Sequence, residues 1–193
     1  MLVDLQNDFC HPDGVFARAG FRVADLDPLV AATNALIAAA RAADQPVVWI
    51  TTVWDDHADI GLLGTRSPFL DDEGLRRGTW GAELLHNLAA QPDDTVIEKT
   101  RLSGFYETTL HATLQGNRTH ALVVGGVRTD FCVESTVRDA FFRDYETFVV
   151  EDAVAGYVPA LHEHSLRLMN TVFAQVLDTH SAAALLAAAR PAA

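Results

Sequence analysis

Three residues far apart in the chain offer chemistry together: Asp4, Lys99 and Cys132. Cysteine attacks as the thiolate, and a free thiol with a pKa near ~8.5 is only slightly ionised at neutral pH unless its surroundings favour the charge. A helix N-terminus and a nearby ammonium both do so. Cys132 stands in "GVRTDFCVEST", directly after the apolar run "ALVV", where a strand turning into a helix would aim backbone N–H groups at the sulfur. Lys99 ends "TVIEK" and is the only lysine in the chain. Among sequences that otherwise use arginine, a retained lysine points to a need for a compact ammonium with a tunable pKa. Asp4, after "MLV", can hold that lysine, accept the thiol proton and return it to a departing nitrogen. The glycine-rich "GGVRTDFC" turn could add an oxyanion hole of consecutive N–H groups.

Each of these residues has an ordinary role as well. A lone cysteine is usually a small core residue, a strand-end lysine lays its stem along the surface, and an aspartate caps turns. What argues for catalysis is that all three follow short apolar runs, whose strands would bring them to one sheet edge.

Those strands are read as "MLV", "PVVWITTV" from Pro46, "TVIEK" from Thr95, "HALVVGG" from His120, "ETFVVED" from Glu146 and "AQVLDT" from Ala174. Helices are expected between them: one with Asp27 as N-cap and Pro28 at its first position, then 81–89, 107–114, 132–143 and 160–172. Strands alternating with helices, several of them continuous apolar runs, predict an α/β fold. Its form is a three-layer, doubly wound, mostly parallel sheet of about six strands with helices on both faces. In such sheets ligands bind beyond the carboxyl ends of the strands.

A chain of 193 residues without internal repeat or linker fits a single domain over 1–193. Its formal charge of −12, from 14 Lys+Arg against 26 Asp+Glu, repels phosphate backbones and anionic lipid, so neither nucleic acid nor a membrane surface is an expected partner. Two cysteines and no basic-then-apolar leader before Asp4 point to a cytoplasmic protein. The apolar segment 182–189 suggests a homo-oligomer.

"LVDLQNDF" at Leu2 to Phe9, "EKTRLSGFYET" at Glu98 to Thr108 and "GGVRTDFCVESTVRDAFF" at Gly125 to Phe142 resemble the isochorismatase-like cysteine hydrolase family, in order and spacing, over nearly the whole chain. The resemblance implies an Asp4–Lys99–Cys132 triad, a cis peptide between Val127 and Arg128, and an oxyanion hole of the Arg128 and Cys132 N–H groups. It further implies hydrolysis of a C–N bond through a thioester without any cofactor. "GTWGAELLHNLAAQPDDTVIEKTRLSGFYETTL" looks most like the ureidoacrylate amidohydrolase and carbamoyl amidase branch, so a small amide or ureido substrate is expected. Asp130 departs from the asparagine usual in that branch, Arg128 stands where a small residue is common, and only three residues precede Asp4. The alternatives are a nicotinamidase, an isochorismatase-type enol ether hydrolase, or a non-catalytic binding member of the fold.

Phe9, Trp54, Trp80 and Phe105 are candidate substrate-pocket walls, with core packing as their ordinary role. Arg128, or else Arg101 or Arg66, is a candidate partner for a substrate carboxylate, against a plain surface salt bridge. Asp55 and His57 in "WDDH" resemble the Asp-x-His pair by which nicotinamidases bind a divalent metal, but no further histidine follows until His86, so no metal is expected. Cys10 reads as structural, and His111, His120, His162, His164 and His180 as solvated or satisfied.

Overall fold

The computed structural model describes residues 1–189, the side chains of Asp71 and Asp72 excepted. Its strands are β1 Leu2–Val3, β2 Val48–Thr52, β3 Thr95–Lys99, β4 Ala121–Val127, β5 Glu146–Ala155 and β6 Gln175–Leu177. They form one parallel sheet in the order β3-β2-β1-β4-β5-β6. The chain winds outward from β1 to β3, returns to β4 beside β1, and winds outward the other way. Loops leaving β1 and β4 therefore diverge, and a crevice opens between their carboxyl ends.

The continuous apolar runs are explained by burial on both faces. Leu2, Trp49 and Val127 point one way, against Leu29, Val30 and Ile37 of the helix Leu26–Ala42. On that side Ala182 of the helix Thr179–Ala188 packs with Leu36, Val150 and Ala153. Val3, Ile50, Val124 and Val149 point the other way, against the helices Leu110–Gly116, Glu134–Phe141 and Pro159–Val172. Three layers result, as expected from the sequence. One glycine is indispensable to this packing: Gly126 has φ 126°, and a Cβ on it would lie 2.1 Å from Val3 O. Its bareness lets β4 and β1 approach at the crevice.

Several helix boundaries differ from expectation. The first long helix starts at Leu26 with Asp25 as N-cap, so Asp27 and Pro28 sit inside its first turn. First-turn amides need no intrahelical acceptor, so a proline fits there as well as at the first position. The helix expected over 81–89 is replaced by a 3-10 turn, Trp80–Ala82. The backbone beyond it pairs with the segment after β1, Asn7 N donating to Glu83 O at 2.9 Å and Leu85 N to Leu5 O at 3.0 Å. The helix expected from 107 begins at Leu110, because Glu107 takes φ 53° and Thr108 Oγ1 accepts the Leu110 N–H at 3.2 Å. The helix expected from Cys132 is a π turn, Thr129–Val133, followed by the α-helix Glu134–Phe141.

Candidate active site

Asp4 is the first residue beyond β1, with φ 53° and its N–H donating to Ile50 O at 2.8 Å. Its Oδ1 accepts from Thr52 Oγ1 at 2.9 Å and its Oδ2 from Lys99 Nζ at 2.8 Å. Lys99 closes β3, two strands from β1, and adjacent strands lie about 4.8 Å apart. Only a long side chain covers that span. It crosses Thr52, its register partner at the end of β2, and Nζ donates to Thr52 Oγ1 at 2.7 Å. The third Nζ contact is Cys132 Sγ, at 3.6 Å. The ammonium thus has an acceptor for each of its protons. Asp4, Thr52, Lys99 and Cys132 are all at most 5% exposed, so water screens none of these charges.

Cys132 arrives on a shaped turn. The Val127–Arg128 peptide is cis, and Arg128 O accepts the N–H groups of Phe131 and Val133, both at 3.1 Å. Cys132 O accepts from Thr136 Oγ1 at 2.6 Å, and that hydroxyl accepts Gly104 N–H at 2.9 Å, which ties the turn to the "SGF" segment after β3. The Arg128 amide donates to no carbonyl among the described residues. It is thus able to serve an acceptor brought in from outside.

The electrostatics correct one expectation. Burial pushes the Cys132 thiol up, Asp4 pushes it further, and Lys99 opposes both without prevailing. The balance of these influences favours the protonated sulfur. Burial works against the Lys99 charge as well, but Asp4, and after it Cys132, outweigh burial and raise it above its ordinary value. A thiol beside a closed Asp4–Lys99 pair can become a nucleophile only by handing over its proton as the attack proceeds.

The candidate pocket residues separate. Phe9 is buried and stacks on Phe16 with centroids 4.8 Å apart; Trp54 is buried with Nε1 donating to Thr100 O at 3.1 Å. Phe105 stacks on Tyr145 at 5.9 Å, with the Arg143 guanidinium 5.0 Å from its centroid. Phe9, Trp54 and Phe105 are thus packed in the core, their side chains occupied by neighbours. Trp80 is 46% exposed and meets the His11 ring edge-on at 5.0 Å. The arginines are engaged too. Arg128 pairs with Asp130 at 2.9 Å and lies over the rings of Phe131 and Tyr157 at 4.1 and 4.5 Å, while Arg101 donates to Asp59 O and Thr100 O. Arg66 is exposed in the short helix Leu62–Arg66.

Asp55 is taken up by Arg77 Nε at 2.6 Å, His57 is exposed at the start of the helix His57–Ile60, and no group of three potential ligands gathers among the described residues. The residues present do not fit the divalent metal of nicotinamidases. Cys10 is buried and unpaired to sulfur, with Sγ 3.9 Å from Asp4 O. Two surface cavities, of about 370 and 480 Å³, lie at the amino ends of β4 and β5 around Tyr145, away from the triad.

Sequence reasoning missed Thr52 and Gln6. Gln6 Oε1 accepts Thr52 N–H at 2.8 Å and its Nε2 donates to Thr52 O at 2.8 Å and Ala82 O at 2.7 Å, which fixes the residue that bridges Asp4 and Lys99. Asp8 accepts Val15 N–H at 3.0 Å and Leu75 N–H at 2.6 Å, and a Cβ on Gly81 would lie 2.0 Å from its Oδ2. The available signal was "TT" closing an apolar strand and three polar residues, "QND", directly after another.

The isochorismatase domain family matches residues 1–181. The chain is 37% identical over 193 residues to the ureidoacrylate amidohydrolase RutB of Methylobacterium radiotolerans, across 92% of this chain and 75% of that protein. A cysteine hydrolase from Pseudomonas syringae pv. phaseolicola shares the fold with a TM-score of 0.87 and 28% identity, over 96% of this chain and 90% of that one. N-carbamoylsarcosine amidase from Thermoplasma acidophilum follows with a TM-score of 0.71 and 28% identity, over 92% and 94%. The match runs from the strand that carries Asp4 to beyond the last strand of the sheet, and on that basis the chain belongs to the isochorismatase family.

Proposed function

We propose that the protein is a cysteine-dependent amidohydrolase that cleaves a C–N bond in a small ureido, carbamoyl or amide compound. The observation that carries this reading is Lys99 Nζ, held 2.8 Å from Asp4 Oδ2 and 3.6 Å from Cys132 Sγ with all three residues buried. The relatives named for ureidoacrylate and N-carbamoylsarcosine hydrolysis support the substrate class.

In this mechanism Asp4 takes the Cys132 proton as sulfur adds to the substrate carbonyl, and Lys99 stabilises the negative charge as it forms. The oxyanion is held by the N–H groups of Arg128 and Cys132. Collapse breaks the C–N bond, and protonated Asp4 gives its proton to the leaving nitrogen. Water, deprotonated by Asp4, then cleaves the thioester and returns the thiol. No cofactor takes part. Trp80 borders the substrate from the solvent side, and the Arg128 guanidinium attracts a substrate carboxylate. The same reading takes the chain as a single domain working in the cytoplasm as a homo-oligomer.

Ammonia release from ureidoacrylate-like, N-carbamoyl, biuret and nicotinamide compounds tests this, with wild type and Cys132→Ala, with and without chelator. Chelator-resistant release from a ureido or carbamoyl compound, lost in the variant by a factor of about 10⁴ or more, is expected. Release from nicotinamide alone, or silence across the panel, overturns the reading.

A further inference from the structure

The turn that carries Cys132 is tied to the fold by a histidine that the mechanism leaves unused. His162, in the helix Pro159–Val172, places Nδ1 2.8 Å from Oγ1 of Thr129, the fully buried first residue of the Thr129–Val133 turn. The next residue, Asp130, has a side chain only 5% exposed. Its Oδ2 takes the Arg128 guanidinium at 2.9 Å, and its Oδ1 is buried without a partner. The two residues flank Gly156, where an added Cβ would lie 3.2 Å from His162 Cβ and 3.4 Å from Asp130 Oδ1. A buried carboxylate oxygen without a donor is costly, and an imidazole that gains its second N–H is a donor of the right kind.

We propose, resting on the reading of Cys132 as the nucleophile, that His162 is a positioning residue. Neutral, it holds the nucleophile turn through Thr129; protonated, it is drawn to Asp130 Oδ1 and moves the turn, and with it Cys132. The charges facing the ring are Asp130 from the turn, itself engaged by Arg128, Glu163 from the ring's own helix and Glu151 from β5. Burial outweighs these carboxylates and lowers His162 below its ordinary value of 6.5, so the ring is neutral at pH 7 and the change falls on the acid side.

The test measures iodoacetamide alkylation of Cys132, distinguished from Cys10 by peptide mass spectrometry, between about pH 5 and 8, together with kcat and KM. Wild type is compared with His162→Gln, which keeps a hydrogen-bonding side chain that does not titrate, and with Thr129→Val. An acid-side inflection in the alkylation rate of wild type, absent from both variants, is expected, with kcat about fivefold lower and KM unchanged. The same inflection in wild type and variants, or none in wild type, overturns the proposal. Should His162→Gln fail to fold, Thr129→Val carries the same comparison. Because alkylation needs no substrate, a wild-type enzyme inactive on every ureido compound would sink the substrate reading while this inference stood or fell by its own profile.

Discussion

Lys99 and Asp4 close an ion pair of 2.8 Å across the intervening strand β2, with side chains 1% and 0% exposed. Stripping water from two such charges costs about what their attraction returns, so the pair does little for net stability; removing one partner is another matter, because the other is left charged and dry. Lys99→Met, which keeps the stem and deletes the charge, is expected to lower the unfolding free energy in urea by about 3–5 kcal/mol. The double variant Asp4→Asn, Lys99→Met should lose clearly less than the sum of the two single losses. Additive losses would show that the two groups are not coupled.

Thr52 is the pivot of that pair, donating to Asp4 Oδ1 at 2.9 Å while accepting from Lys99 Nζ at 2.7 Å. Thr52→Val retains the shape and removes both bonds, leaving a buried ammonium one acceptor short. A stability loss of about 1–3 kcal/mol is expected. The rate on a ureido substrate should fall as well, since Lys99 and Asp4 are no longer held in one geometry. A variant with wild-type kcat and stability would show that Thr52 only fills space.

The sheet and the three-residue cluster were legible because short apolar runs mark the strands, with Asp4 just after β1, Lys99 ending β3 and Cys132 soon after β4, and a parallel sheet puts all such ends on one edge. The bridging role of Thr52 was not legible. It depends on register, Thr52 opposite Lys99, and register is a pairing between distant segments that local sequence does not state. The helix over 81–89 is absent for a related reason. Leu84 and Leu85 have helical propensity, but Leu85 N donates to Leu5 O and Glu83 O accepts from Asn7 N, and tertiary pairing overrode local preference. That burial opposes the helix N-terminus and the lysine at Cys132 was not legible either, because burial belongs to the assembled fold.

Alkaline stability follows from the same burial. Burial pushes the Cys132 and Cys10 thiols up, with Asp4 adding to both, and Lys99 is raised because Asp4 prevails over burial. The folded chain therefore keeps these protons at pH values where the unfolded chain releases them. Their stabilisation is complete below the ordinary thiol value of 9.0 and drains away as pH rises through the thiol region and then past the ordinary lysine value of 10.5. Unfolding free energy should fall above that threshold by about 1.4 kcal/mol per pH unit for each group titrating only in the unfolded chain. Cys132→Ala removes one such group and should fall less steeply. Equal slopes in the two proteins would mean that the sulfur is not held as a thiol.

Trp80 and Phe105 are both aromatic residues near the site's motifs, and their surroundings predict opposite behaviour. Phe105 stacks on Tyr145 at 5.9 Å and lies under the Arg143 guanidinium in a closed core, so truncation to alanine leaves a cavity and should cost about 3–5 kcal/mol. Trp80 is 46% exposed, touching His11 edge-on while its own carbonyl accepts Asn7 Nδ2 at 2.7 Å. Its ring can be removed without disturbing that backbone bond, so Trp80→Ala should change stability by no more than about 0.5 kcal/mol. If the ring borders the substrate, KM for a ureido compound rises in Trp80→Ala while the urea midpoint stays put; Phe105→Leu, which keeps an apolar core side chain, should instead lower the midpoint and leave KM alone. A raised KM in Phe105→Leu with unchanged stability would reverse the assignment and put the pocket on the Tyr145 side of the sheet.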